Sequence, residues 1–278
     1  MILYDIKDED SLLRDTAQSK LSILVGMDSF SYLLQHPERG MHWYRSFALD
    51  DSTGDHFDHL EKLLRGEVAL QRSFSQVQVA CQFPVFTIIP DRLFRAGEER
   101  SYLEHLTILK DSDEVLTEAL PPAKGRMVYV VPGRVHQLLR RFLPGSSLHH
   151  FGSLFINHFG NLHFSGSGEN VYLHITSNRL FALHFREGQL NFQNTFTFQS
   201  SKDCIYFVLL VFDQLQLDPQ STQVYLGGQL MTDSEIYRLL DRYLAKMDVL
   251  ELPYQLSLAE PLRAYPPFFY FDHALNLL

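Results

Sequence analysis

The sequence contains one segment twice, and this repeat constrains the fold more than any other feature. Residues 23–47 read ILVGMDSFSYLLQHPERGMHWYRSF, and residues 173–196 read LHITSNRLFALHFREGQLNFQNTF. In each copy a short apolar strand passes through a polar turn into a second apolar strand. A tight turn at Glu-Arg-Gly or Arg-Glu-Gly then leads into a third strand. The repeat therefore predicts two lobes of one architecture with a cleft between them.

The charge balance disfavours general nucleic-acid binding. The chain has 24 Lys and Arg against 33 Asp and Glu, a formal net charge of −9, and an acidic chain repels phosphate backbones. Its 278 residues are 45% hydrophobic and 21% charged. That composition is typical of a soluble globular protein with one large or two modest domains.

The cysteines and the apolar stretches predict a cytoplasmic protein. Cys81 and Cys204 lack CxxC or metal-ligand spacing, and each lies in an apolar run, as expected of free thiols in a reducing compartment. The N-terminal residues lack the features of a signal peptide. The longest apolar stretch, Cys204 to Phe212, is far shorter than the roughly 20 residues that span a bilayer.

The predicted elements follow the order βββαβα in each lobe, the signature of the ribonuclease-H-like, or actin-like, fold. We therefore predict an α/β protein with a duplicated ribonuclease-H-like fold, a first lobe at 1–160, and a second at 161–278 with an aromatic C-terminal tail. Residues 111–125 are interpreted as a charged excursion. A helix is predicted to begin after the N-cap Ser201, and another over 233–247.

Several segments resemble a known family. In the second lobe GSLFINHFGNLHF, VYLHITSNRLFALHFREGQLNFQNTFTF and STQVYLGGQL, and in the first PVFTIIPDRLF, resemble an uncharacterised Bacteroidota family, domain of unknown function 3822. The resemblance implies an actin-like ATPase fold with no established activity. More distantly, MVYVVPGRVHQLLRRFLPG followed by LHHFGSLFINHF is similar in rhythm to the actin-like adaptors of pilus assembly and cell division.

The resemblance implies where a nucleotide would bind. Actin-like ATPases hold ATP with a turn in each lobe, usually Asp-x-Gly, whose backbone amides cradle phosphates and whose acid orients magnesium-bound water. In the first lobe this turn contains Asp28 and Ser29, but Phe30 stands where glycine is implied. In the second lobe it contains Ser177 and Asn178, and a neutral amide is a poorer partner for magnesium-bound water.

A third loop of these ATPases is a Gly-Gly at the end of the fourth strand, which packs on the adenosine, and Gly227-Gly228 fits its position. Each loop also has a purely structural interpretation. Asp28 suits a β-turn, Asn178-Arg179 suits a type I′ hairpin turn, and Gly227-Gly228 suits a turn that needs positive φ.

The remaining residue patterns indicate no catalytic site. The thirteen histidines show no converging ligand set, so we expect no metal site. The sequence has no P-loop, nucleophile elbow or dinucleotide fingerprint. We therefore expect a non-catalytic adaptor or scaffold with degraded phosphate loops, which needs no cofactor and binds a protein partner. The alternative is an ATP-binding protein with slow ATPase activity, which would use magnesium and switch by lobe closure.

Overall fold

The computed structural model describes residues 1–8, 16–49, 56–163 and 168–278. It has fourteen strands in these ranges: β1 (Ile2–Lys7), β2 (Lys20–Gly26), β3 (Ser29–His36), β4 (Gly40–Ala48), β5 (Gln76–Gln82), β6 (Phe86–Pro90), β7 (Glu114–Leu120), β8 (Gly125–Val131), β9 (Ser147–His150), β10 (Glu169–Ile175), β11 (Arg179–Arg186), β12 (Gln189–Thr197), β13 (Gln223–Gly228) and β14 (Met247–Val249).

Seven α-helices connect or flank these strands within the same ranges: α1 (His56–Gly66), α2 (Glu99–Glu104), α3 (Gly133–Phe142), α4 (Phe151–His163), α5 (Ser201–Leu215), α6 (Glu235–Tyr243) and α7 (Phe271–Asn276). Short 3-10 turns precede α7, at Glu260–Ala264 and Pro267–Tyr270.

The two copies of the repeat form the same sheet topology. The first sheet has the order β1-β4-β3-β2-β5-β9, and the second has the order β12-β11-β10-β13-β14. In both, the three strands of the repeat pair antiparallel, and the first of them pairs parallel with the strand that follows the next helix. One more parallel strand, β9 or β14, completes each sheet. This is the topology that the repeat predicts.

The central strands are apolar along almost their whole length because both faces of each sheet are covered. Residues 21–26 of β2 and 171–175 of β10 are all buried, the pattern expected of strands in the middle of an α/β sheet. Helix α5 follows the second repeat and has a capping box. The Ser200 hydroxyl accepts from the Asp203 amide at 3.2 Å, and the Asp203 carboxylate accepts from the Ser200 amide at 3.0 Å. The N-cap is therefore Ser200, one residue before the predicted Ser201.

The described residues divide into two compact units. The first comprises Met1–Phe155, Tyr254–Ala264 and His273–Leu278, and the second comprises Ile156–Pro253 and Tyr265–Asp272. The aromatic C-terminal tail is thus divided between the units. The predicted lobe boundary after residue 160 stays a prediction.

Two segments differ from the sequence-based expectation. The charged excursion at 111–125 contains β7, which joins β6 and β8 in a three-stranded antiparallel sheet. The helix predicted over 233–247 ends at Tyr243, and Met247 already belongs to β14. Strand β7 forms because it pairs with β8, the next strand in the chain, and β14 forms because it pairs with the more distant β13. The periodicity of each segment by itself does not report these partners.

Candidate functional site

The first predicted turn joins β2 to β3 in the first unit. The backbone carbonyl of Asp28 accepts a hydrogen bond from the Leu49 amide at 2.8 Å, which ties the turn to the end of the third strand. Asp28 and Ser29 are half-buried. Phe30 has no exposed surface and packs against Phe47 with ring centroids 6.2 Å apart.

The second predicted turn has the same construction in the second unit. The backbone carbonyl of Asn178 accepts from the Phe198 amide at 2.9 Å, and the Thr176 amide donates to the Arg179 carbonyl at 2.9 Å. Ser177 is exposed and Asn178 is half-buried. The type I′ alternative for Asn178-Arg179 is wrong, because such a turn needs positive φ and neither residue has it.

The residue two positions after each turn residue is buried in the core of its own unit. Leu180 follows Asn178 as Phe30 follows Asp28, and both side chains have no exposed surface. A glycine at this place would let the backbone approach a phosphate. Phe30 and Leu180 instead contribute apolar side chains to the interior.

Gly227 and Gly228 end β13, beside the last residues of β10. Gly228 pairs with Ile175 in the parallel ladder and has φ of +105°, so the alternative of a glycine needed for positive φ is confirmed there. A Cβ on Gly228 would lie 2.0 Å from the Ile175 carbonyl oxygen, and a Cβ on Gly227 would lie 2.8 Å from Leu250 Cδ1. Packing against the Ile175 backbone within the second unit therefore accounts for Gly228.

The structure thus brings part of the predicted set together. Because β10 and β13 are parallel neighbours, the turn with Ser177 and Asn178 lies at the same end of the sheet as Gly228. Asp28 and Ser29 lie in the first unit, at the corresponding end of β2.

A largely buried carboxylate that the sequence analysis missed, that of Glu118 on β7, lies beside the junction of β9 and α4 in the first unit. Glu118 accepts hydrogen bonds from the His150 amide at 2.5 Å and from the Ser153 hydroxyl, and the His149 ring nitrogen lies 3.4 Å away. The carboxylate therefore stands at the N-terminus of α4, where a negative charge is stabilised. Tyr129 also donates to it.

These contacts change the acid–base chemistry of the cluster. Burial by itself raises the pKa of Glu118, but the hydrogen bonds from His149, Ser153, Tyr129 and His150 outweigh it, so the pKa lies below its usual value. Burial lowers the pKa of His150 to about 4. Glu118 is therefore charged and His150 neutral at pH 7.

Aromatic rings close this end of the sheet. The ring of His150 lies 4.8 Å from that of Phe86 and 5.1 Å from that of Tyr129, between centroids. His150 is in register with Cys81 of β5, whose thiol is fully buried. The side chains of the three-stranded sheet thus pack directly against the last residue of β9.

The described part of the chain contains neither a cluster of metal ligands nor a membrane-spanning helix. In residues 1–8, 16–49, 56–163 and 168–278, no three His, Cys, Asp or Glu side chains come close enough together to hold a metal ion. Across the same residues, no helix is both long and apolar enough to cross a membrane.

The match to a known family covers most of the chain, residues 8–247. The chain belongs to the family of proteins of unknown function DUF3822. This confirms the resemblance noted from the second-lobe segments. None of the curated proteins matches this DUF3822 chain.

Solved structures show the fold. A protein of Bacteroides thetaiotaomicron with an actin-like ATPase fold and unknown function is 18% identical, with a TM-score of 0.73 over 95% of this chain and 97% of that one. A PilM-PilN type IV pilus biogenesis complex is 14% identical, with a TM-score of 0.56 over 93% of this chain and 97% of that one. The DUF3822 chain therefore has the predicted duplicated actin-like, ribonuclease-H-like fold.

Proposed function

We propose that this protein is a non-catalytic adaptor or scaffold that has an actin-like fold and works by binding a protein partner. The observation that carries the proposal is the burial of Phe30 and Leu180 at equivalent places in the two turns. Each fills a position where a phosphate-binding turn keeps glycine. The buried free thiols Cys81 and Cys204 support the cytoplasm as its compartment.

The other parts of the predicted nucleotide site support the same proposal. Gly228 is needed for its close approach to Ile175, so its presence requires no adenosine. Asn178 is a neutral amide where the paired loop of an ATPase has an acid. With these residues the turns do not fit magnesium-ATP.

A protein partner is supported by the fold relative that is part of an assembly. The PilM-PilN structure is a complex in type IV pilus biogenesis, and its similarity covers 93% of this chain. We infer that the DUF3822 chain uses the same fold to hold another protein. The net charge of −9 favours a partner with a basic surface over a nucleic acid.

One observation favours the second candidate, an ATP-binding protein with slow ATPase activity. Asp28 keeps a half-buried carboxylate at the end of β2, and a ligand of an α/β sheet binds beyond the carboxyl ends of its parallel strands. Under this candidate Asp28 is required for activity.

Two measurements on the wild type and Asp28→Ala distinguish the candidates. Phosphate release from magnesium-ATP is expected to equal the protein-free blank for both proteins. The second is cross-linking in the source cells followed by affinity capture, in which the two proteins are expected to retain the same partner. Phosphate release above the blank that is lost in Asp28→Ala would overturn the non-catalytic proposal. A capture that yields no partner would overturn the adaptor role.

A further inference from the structure

The second unit contains a cavity of about 480 Å³ whose floor is aromatic. This volume is in the range of about 300–1,000 Å³ that ligand pockets have. Phe159, Tyr172 and Phe271 form the buried floor, and Leu162 and Val249 are exposed at the rim. The cavity therefore combines a rigid apolar interior with an accessible mouth.

The aromatic rings form a column that leads to the edge of the sheet. Phe159 stacks on Phe271 at 5.8 Å and on Tyr172 at 3.7 Å, and Tyr172 stacks on Tyr225 at 5.1 Å, with interplanar angles of 13°, 19° and 14°. Tyr225 is the last ring and is only half-buried. It lies on β13, next to the edge strand β14.

Two carboxylates lie beside this last ring. Asp248 on β14 is in register with Tyr225, and residues in register on parallel strands present side chains to the same face. Glu251 lines the same cavity and is exposed. One oxygen of Asp248 accepts from the side-chain amide of Gln223 at 2.9 Å, which leaves further acceptor positions on the carboxylate. Within the described residues neither acid forms an ion pair.

His158 also lines the cavity, and it adds no positive charge to balance the two carboxylates. Burial lowers the pKa of His158, so its imidazole is neutral at pH 7. Its ring packs edge-on against Phe271 at 5.8 Å. The charge of the cavity is therefore that of Asp248 and Glu251.

The strand that carries Asp248 is the outer edge of its sheet. Strand β14 pairs with β13 and is the last strand in the order β12-β11-β10-β13-β14 of the described sheet. Edge strands are places where an extended segment of another protein adds by main-chain hydrogen bonds, with alternate side chains entering neighbouring pockets. Asp248 and Val249 are both exposed here.

We propose that this cavity binds an arginine side chain on an extended segment of a partner protein, with the guanidinium over Tyr225 and beside Asp248. This inference rests on the proposed adaptor function and names the surface that carries it. A guanidinium is planar, stacks on aromatic faces and pairs with carboxylates through two parallel hydrogen bonds. Apolar neighbours of the arginine contact Leu162 and Val249 at the rim.

Binding of defined peptides tests the inference. The probe is a set of acetylated pentapeptide amides with arginine at the centre and Val, Ile, Phe, Thr or Ser at the flanks. The matched set has citrulline, a neutral isostere, in place of arginine. Members of the arginine set are expected to bind saturably, and about tenfold more tightly than their citrulline counterparts, because a hydrogen-bonded charge pair is lost.

Variants of the full chain locate the bound peptide. Asp248→Asn and Tyr225→Leu are each expected to weaken arginine-peptide binding about tenfold. The matched control Asp241→Asn, an exposed acid on α6 of the same unit, is expected to leave it unchanged. Circular dichroism establishes that each variant is folded. Equal affinity for both peptide sets, no saturable binding, or equal affinity for acetyl-arginine amide alone would each overturn the inference.

Capture from the source cells separates this inference from the function on which it rests. Wild type, Asp248→Asn and Asp241→Asn are cross-linked and purified in parallel. We expect the wild type and Asp241→Asn to retain a partner protein that Asp248→Asn does not retain. If all three retain it equally, the cavity is the wrong surface and the adaptor role stands. If the wild type retains none, the adaptor role itself fails.

Discussion

The backbone carbonyl of Asp28 accepts a hydrogen bond from the amide of Leu49 at 2.8 Å. The second unit has the same bond, from Phe198 to Asn178 at 2.9 Å. In each unit the turn after the first strand of the repeat is thus tied to the residue that follows the third strand. The two turns are equivalent in geometry and differ in chemistry, since one presents a carboxylate and the other an amide.

Replacing Gly228 tests whether packing explains the glycine. Gly228→Ala is expected to lower the free energy of unfolding by at least about 3 kcal/mol, because the new Cβ clashes with the Ile175 carbonyl and φ is positive. Gly168→Ala in the same unit is the control, since φ there is +125° with open space around the Cβ position. Only the strain of positive φ, about 1–3 kcal/mol, is expected there, without the added clash. Denaturant unfolding measures both, and equal losses would refute the packing explanation.

Removing the charge of Glu118 is expected to destabilise the first unit. Glu118→Gln replaces a carboxylate that accepts from the His150 amide and the Ser153 hydroxyl, at a cost of about 1–3 kcal/mol at pH 7. The control is Glu114→Gln, on the same strand but half-exposed and 3.6 Å from His136, where we expect a loss of less than about 1 kcal/mol. Urea unfolding measures the free energy of unfolding of both variants. An equal loss in Glu114→Gln and Glu118→Gln would contradict the stabilising role of the Glu118 carboxylate.

Acid is expected to destabilise the protein below pH 6.5 through two buried histidines. Burial lowers the pKa of both His42 and His150 from 6.5 to about 4. Between these values the unfolded chain binds protons that the folded chain does not, so stability is present above pH 6.5 and is lost as the pH falls. Each histidine contributes a loss of about 3 kcal/mol by pH 4.

The variants His42→Asn and His150→Asn test that pH dependence. The slope of unfolding free energy against pH, measured by urea titration from pH 7 to about 4, is expected to be shallower in each variant than in the wild type. An unchanged slope in both would show that these imidazoles do not control the acid response.

The two thiols are expected to be unreactive in the folded protein. Cys81 and Cys204 have no exposed surface, and burial raises the pKa of both, that of Cys204 to about 12. The thiolate is the reactive form, so labelling by a disulfide reagent at pH 8 should proceed only as fast as the chain opens. The reduced chain in denaturant provides the reference rate. Fast labelling of the native protein would contradict the described burial.

Local patterns predicted the repeat and its turns because alternation and turn residues are encoded within short windows. The equivalence of the turns at Asp28 and Asn178 follows from the repeat, and it agrees with the corresponding backbone hydrogen bonds that the two carbonyls accept from Leu49 and Phe198. The buried place of Glu118 could not be read in this way. From the sequence alone, a glutamate on β7 is expected to point into solvent. Its burial becomes evident only from the hydrogen-bonding partners that β9 and α4 supply.

The aromatic cavity could not be predicted from the sequence either, because it depends on pairing between strands that are distant in the chain. Strand β14 has three residues and no periodicity of its own. Its register, which sets Asp248 opposite Tyr225, depends on pairing with β13. The contribution of Phe271 to the column depends on the path of the C-terminal tail, and sequence spacing does not specify that path.

Thermal denaturation with and without millimolar magnesium-ATP tests the central claim, that this actin-like chain works without a nucleotide. We expect superimposable transitions with and without the nucleotide, for the wild type and for Asp28→Ala. A nucleotide present at 100 times its dissociation constant would stabilise the folded state by about 2.7 kcal/mol. A shift of that size in the wild type that disappears in Asp28→Ala would show that the protein binds the nucleotide through this turn, and would refute the claim.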